Sequence, residues 1–337
     1  MRLSSSFDLP LRRTVRPEDD YTHPVGPEVN FNESMYFHVH DPGAGLGGFV
    51  RLANRPNEGR GEMTICLYLP DGKVAFAFQR PEVLSNERFD AAGLRFVVRE
   101  PFQHIDITFD GEVFVLDDPS QLADPGAAFR GSRELRCALE LAITGVAPVF
   151  DHTFETGEES FAPHHYEQLL SARGRVRIGA RSTEVVGYGL RDHSWGPRSW
   201  QAPWFYRWLH GSTDGFGFMA AWFGRPDGSA IQGGFVWDGT ELASVDSLRI
   251  VTERDDRDEQ TGITATLEAG GREWIMTGKV LSKLPLRNRR QDDNGEPQVT
   301  RIVEALMQWS LSDGTALHGM SEYLDQIVDG RPVGQEV

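Results

Sequence analysis

MTICLYLPDGKVAFAFQ, residues 63–79, reads as a β-hairpin. Two short runs of β-branched, aromatic and aliphatic residues flank Pro70-Asp71-Gly72. That triplet carries turn chemistry, because proline presets φ, aspartate bonds nearby backbone and glycine accepts a left-handed conformation. Similar runs extend outward: SMYFHVH (34–40), GGFVRLA (47–53), LRFVVRE (94–100) and HIDITFDGEVFVLD (104–117), separated by Gly, Pro, Asp and Asn. Short strands at such spacing predict an all-β antiparallel barrel or sandwich. Asp110-Gly111 reads as a second hairpin turn.

Downstream, SRELRCALELAITGVAPVF (132–150) fits a strand or a short helix, with strand the better reading. The acidic, glycine-containing FDHTFETGEESFAPHHYEQ (150–168) then marks the expected domain boundary. The second half repeats the style with YEQLLSARGRVRIG (166–179), DGFGFMAAWFGRPDGSAIQGGFVWDG (214–239) and RIVEALMQWSLSDGTALHGMSEYLDQ (301–326). Pro226-Asp227-Gly228 echoes Pro70-Asp71-Gly72, which suggests two β-domains of similar design. The chain thus divides into a polar, proline-containing arm over 1–29 and β-domains over 30–155 and 160–330. NRRQDDNGEPQ (288–298) reads as an exposed hairpin loop.

A chain of 337 residues exceeds the size at which single cores stop growing, which favours two domains. A net charge of -16 argues against nucleic acid, since phosphate binding needs clustered Lys and Arg, and against adsorption to an anionic membrane. No run reaches the ~20 apolar residues that span a bilayer, and the first residues do not resemble a signal peptide, so a cytoplasmic location is expected. Cys66 and Cys137 each sit in an apolar run without CxxC spacing and read as buried thiols. Nothing in the sequence opposes a homodimer.

Chemistry concentrates in VGYGLRDHSWGPRSWQAPWFYRW (186–208), with four tryptophans and three arginines. On a strand, Tyr188, Leu190, Asp192 and Ser194 would face one way and Arg191, His193 and Trp195 the other. Gly187 and Gly189 leave room for a close backbone or ligand, and Gly196-Pro197 ends the strand. A carboxyl held among tryptophans loses solvation, stays protonated near neutral pH and can serve as a general acid. Asp192 is therefore the candidate acid and His193 its candidate partner; the bland alternative is a turn cap or an ion pair with Arg191 or Arg198.

Six of the eight tryptophans fall between residues 195 and 237, which favours a ligand-lining role over packing for part of the set. The candidate substrate-binding residues are Tyr188, Arg191, Trp195, Arg198, Trp200, Trp204, Arg207, Trp208, His210 and Trp222. His38-Val39-His40 has metal-ligand spacing, and His164-His165 with Glu167 could add donors, but no further ligands recur at a recognisable spacing; no metal and no cofactor are expected. Asn32-Glu33-Ser34, Tyr166-Glu167-Gln168 and Glu322-Tyr323 read mostly as structural polar groups. Phosphate loops, dinucleotide fingerprints and Gly-x-Ser-x-Gly elbows are absent.

Around RDHSWG the sequence resembles the hydroxyneurosporene synthase family, the carotenoid 1,2-hydratases, which carry Asp-His-Asn-Trp-Gly after a glycine-rich strand. Asp192, His193, Trp195 and Gly196 match, and Ser194 replaces the Asn. The blocks FNESMYF, RLANRPNEG, LYLPDG, HHYEQ, GYGLRDHSWGPRSW, YRW and SEYLDQ look like those of a large group of bacterial relatives, and cover the chain from about 30 to 327. The resemblance implies two consecutive lipocalin-like barrels and acid catalysis, in which Asp192 would protonate a double bond of a hydrophobic isoprenoid-like or polycyclic small molecule. Hydration, cyclisation or isomerisation would follow. The alternative function is a carrier for a lipid, steroid or aromatic metabolite.

Overall fold

The computed structural model describes residues 15–154, 162–199, 203–291, 295 and 297–334. It forms two compact units, the first ending at Ser199 and the second following it. Among the described residues no helix is long and apolar enough to cross a membrane.

The first unit holds β1 (Phe31–Asp41), β2 (Leu46–Arg55), β3 (Arg60–Tyr68), β4 (Val74–Gln79), β5 (Asp90–Ala91), β6 (Leu94–Glu100), β7 (His104–Leu116), β8 (Arg133–Gly145), β9 (Phe150–Phe154), β10 (Ala162–Ile178) and β11 (Arg181–Pro197). Antiparallel pairing runs β4-β3-β2-β1-β11-β10-β8-β7, and a β4–β7 pairing closes the ring into an eight-stranded barrel. The second unit holds β12 (Phe205–Thr213), β13 (Phe216–Gly224), β14 (Ala230–Trp237), β15 (Leu242–Arg254), β16 (Gln260–Ala269), β17 (Arg272–Gln291), β18 (Pro297–Leu311), β19 (Ala316–Val328) and the short β20 (Arg331–Pro332). Here each strand from β12 to β19 pairs with the next, and β12 pairs back to β19. The all-β, tandem-barrel expectation is met.

Closure follows from alternation: every second residue points inward, and a ring buries that face while leaving no long edge unpaired. Met35, Phe37, Val39, Val50, Leu52, Met63, Ile65 and Leu67 come from the first three strands and meet Ile105, Ile107, Leu139 and Leu141 from across the barrel. A cavity along Phe37, Val39, Leu67, Ile107 and Val176 measures about 30 Å³, room for about a water or two, and another of about 150 Å³ is lined by Leu46, Val115, Leu135, Val176 and Ile178.

The two proline hairpins have the same geometry. Gly72 and Gly228 sit at φ of 80° and 81°, and each donates its N–H to the carbonyl three residues back, Leu69 and Arg225. Gly187 and Gly189 are needed for strand approach: a Cβ would lie 2.3 Å and 1.8 Å from the carbonyl oxygens of His40 and His38.

Two expectations need correction. Asp110-Gly111 is not a turn but lies inside β7, where Gly111 pairs with Cys137. The inward series Ile105, Ile107, Phe109, Val113 and Val115 keeps its period of two across the dipeptide, and a thirteen-residue strand serves both β6 and β8. The domain boundary drawn between 155 and 160 is also displaced. β10 and β11 close the first barrel between β8 and β1, so RDHSWG belongs to the first unit. The acidic stretch runs between β10, a strand of the barrel, and β9, which pairs with it outside the ring. Elsewhere the strand reading holds over Arg133–Gly145, both cysteines are buried and neither is in a disulfide, and burial pushes the Cys137 thiol up to about 12. The loop read at 288–298 contains strand residues at both ends, and its centre falls outside the described residues.

Candidate functional site

β11 sits between β1 and β10, and its register fixes both faces of the motif. His193 lies opposite Met35 and Tyr166, and Asp192 opposite Tyr36 and Glu167. Arg191, His193 and Trp195 point into the barrel end, while Asp192 and Ser194 occupy the outer wall. The separation of Asp192 from His193 expected from alternation is what the strand shows.

Inward, a hydrogen-bond chain is almost sealed from solvent. Arg191 grips the carboxylate of Asp20 at 2.6 Å and 3.3 Å, with Gln168 Oε1 accepting from the same guanidinium at 2.8 Å and 3.0 Å. Tyr166 Oη donates to Asp20 Oδ1 at 2.6 Å and lies 3.0 Å from His193 Nδ1. His193 Nε2 meets Glu33 Oε1 at 2.8 Å, and His23 Nδ1 meets the same oxygen at 2.7 Å. Asn86 donates to the other oxygen of Glu33. Burial alone would raise the Glu33 carboxyl, but hydrogen bonds from His193 and His23 hold it at about 2. Burial likewise opposes ionisation of Asp20, and Arg191, Tyr166 and the Phe102 N–H carry it below the usual carboxylate range.

Asp20 and His23 come from the segment before β1. A 3-10 turn over Pro17–Asp20 delivers the first of them. Trp195 is held between His23, stacked at 3.8 Å, and His164, stacked at 5.0 Å. The described part of the arm, from residue 15 on, is therefore part of the first unit's packing, and Arg191, His193 and Trp195 anchor it there.

Outward, Asp192 retains 18% side-chain accessibility and lies 3.5 Å from His165 Nε2, which is itself 3.9 Å from Glu167. Burial pushes the Asp192 carboxyl up; the His165 bond and the charges of His165, Arg198 and Arg51 outweigh it and bring the carboxyl below its ordinary value. This corrects the expectation of an acid kept neutral by desolvation. Ser194 and Ser34 hydroxyls are 3.2 Å apart, and Arg198 donates to Ser34 at 3.3 Å. Tyr36 and Phe49 stack at 5.2 Å on the same wall, and His38, His40 and Tyr188 follow along it by register.

The other candidates scatter. Inside the second barrel, Arg207 is fully buried, binds Asp325 at 2.8 Å and 3.3 Å and lies 4.3 Å from the Tyr323 ring centre. Trp222 packs at the edge of that barrel's core. Trp208 and His210, on the alternate face of β12, have ring centres 4.9 Å apart. Trp204 precedes β12 and bonds through its backbone to Gly224. Trp200 lies outside the described residues. The residues that sequence reasoning missed are Asp20, His23 and the role of His165. Only the β10–β11 register could have pointed to His165, and nothing local marks the first two.

Among the described residues, one group of three donors could hold a metal: His23, Glu33 and His193. The pair His38 and His40 does not join such a group.

Two closed lipocalin-like barrels with an Asp-His wall define the class: an all-β tandem-barrel protein. Residues 16–327 match the family described as "Domain of unknown function (DUF7064)", and the chain belongs to it. None of the curated proteins matches the sequence. Among solved structures, it is similar to one described as a candidate AttH from Nitrosomonas europaea, with 15% identity, 94% of this chain and 98% of that one covered, and a TM-score of 0.51. It is also similar to CghA, solved alone and with Sch210972, at 10% identity, 88% coverage of both chains and a TM-score of 0.53. These likenesses establish a shared fold.

Proposed function

We propose that the protein is a cofactor-independent enzyme that applies acid chemistry to a double bond of a hydrophobic small molecule, with Asp192 as the proton donor and His165 as the group that recharges it. The observation that carries the reading is the placement of Asp192: of the motif's titratable residues it is the one on the outer wall with accessible surface, 3.5 Å from an imidazole. The likeness of RDHSWG to the carotenoid hydratase motif supports an acid at this position, and the buried Tyr36–Phe49 stack lies on the same wall.

Protonating an alkene requires a strong acid. A carboxyl that His165, Arg198 and Arg51 draw below its usual range against the effect of burial is the stronger acid; its protonated form is the minority near neutral pH, and the neighbouring imidazole relays the proton that regenerates it after each transfer. The proton passes from Asp192 Oδ2 to carbon, leaving a carbocation and a carboxylate. Water capture gives hydration, and loss of a neighbouring C–H proton gives isomerisation or, after ring closure, cyclisation. Each route returns one proton to Asp192 or His165, so the balance closes without a redox partner.

Incubation of a panel of isoprenoids and polycyclic alkenes in deuterated water tests this. Deuterium on carbon is expected with the native chain and is expected to disappear in Asp192→Asn while ligand affinity, read by tryptophan quenching, persists. Binding without deuterium incorporation across the panel would make the protein a carrier instead.

A further inference from the structure

The inward cluster brings two imidazoles onto one carboxylate oxygen. Both oxygens of Asp20 accept from Arg191, and Oδ1 also accepts the Tyr166 hydroxyl proton at 2.6 Å. With that proton committed, Tyr166 Oη accepts from His193 across the 3.0 Å contact to Nδ1. Nε2 of the same ring lies 2.8 Å from Glu33 Oε1, and His23 Nδ1 lies 2.7 Å from that oxygen. Either protons on the two imidazoles or one cation that replaces them satisfies the three atoms.

The geometry points to a divalent transition-metal ion of the zinc class, held by His23 Nδ1, Glu33 Oε1 and His193 Nε2. The three donor atoms lie within 4.8 Å of one another, and both imidazoles converge on one carboxylate oxygen. Two nitrogens and a carboxylate suit zinc, cobalt or nickel rather than calcium or magnesium. Ligands around such an ion at about 2.0–2.1 Å stand about 3.3 Å apart, so Glu33 would withdraw from the two imidazoles, which lie 2.7 Å and 2.8 Å from it. The far nitrogen of each imidazole is also held: His193 Nδ1 by Tyr166, and His23 Nε2 by Asp19 at 3.4 Å. Metal-binding histidines are oriented in this way by an acceptor on the second nitrogen. Trp195 against His23 and Phe89 edge-on to His193 at 5.7 Å wall the position.

Protons on the imidazoles would instead make the cluster an ion pair of His193 and Glu33, and the metal titration separates the two arrangements. The ion would join the arm, through His23, to β1 and β11, through Glu33 and His193. This role is independent of the chemistry assigned to Asp192 on the opposite face.

The test uses the full chain stripped with a chelator and titrated with Co²⁺. One equivalent should bind with visible d–d bands, and Zn²⁺ should displace it and raise the thermal midpoint. His23→Gln, a partly exposed arm position whose replacement spares the barrel, should weaken Co²⁺ binding at least tenfold, and Glu33→Gln likewise. Absence of the bands in the native chain, or bands of undiminished affinity in folded His23→Gln, would overturn the assignment.

Discussion

The two faces of β11 carry neighbouring residues of one motif into opposite circumstances. Arg191 and His193 point inward, are almost wholly buried, and are tied to Asp20, Tyr166 and Glu33 by short bonds. Asp192, between them, points outward with part of its carboxyl accessible and a looser partner in His165. A run of charged and aromatic residues that reads as one reactive cluster is thus two sets with separate work. One set anchors the described part of the N-terminal arm, and the other presents the carboxyl that the proposed reaction would use.

Substitutions on the two faces should differ most in stability. Arg191→Met leaves the Asp20 carboxylate buried without its guanidinium, and removing one partner of a buried pair costs about 3–5 kcal/mol; urea denaturation should show that loss, and a midpoint within error of the native chain would dissolve the contrast. Tyr166→Phe removes the hydroxyl shared by Asp20 and His193 and should cost about 1–3 kcal/mol, since a buried acceptor loses its donor.

Acid should act on the inward face next. The folded-state carboxyl of Asp20 lies below its unfolded value, so its contribution to stability is present above the unfolded value and disappears as pH falls through the folded one. Urea midpoints recorded from pH 6 down to pH 2 should fall less steeply in Asp20→Asn, already the weaker protein at neutral pH. Parallel slopes would show that Asp20 does not titrate with folding. The smallest structural effect belongs to the outward residue: Asp192→Asn should change stability by less than about 1 kcal/mol while removing catalysis. A larger loss of stability would place Asp192 with the anchoring set.

Much of this was legible in advance. The hairpin at Pro70-Asp71-Gly72, its echo at Pro226-Asp227-Gly228 and the alternating runs between them specify antiparallel strands, because turn chemistry and a period of two are local properties. The opposite orientation of Asp192 and His193 followed from the same period. The Asp110-Gly111 misreading shows the limit of local turn chemistry: the alternation running through it in phase was the stronger signal. The displaced domain boundary has a different cause, since a composition break marks a connection and does not say which strands the connection joins.

The sequence by itself determined that this chain is built of strands, where most of them turn, and which motif residues share a face. Only the tertiary structure decided what each face meets. Ring closure brings β1 beside β11 from more than a hundred residues away, while β10 is the hairpin partner of β11 on its other side, and together they set Glu33, Tyr166 and His165 around the motif. The arm's Asp20 and His23 reach it from 171 and 170 residues away. Such partners are selected by strand register and packing, which depend on the whole barrel at once, and no local pattern around Asp20, His23 or His165 records them.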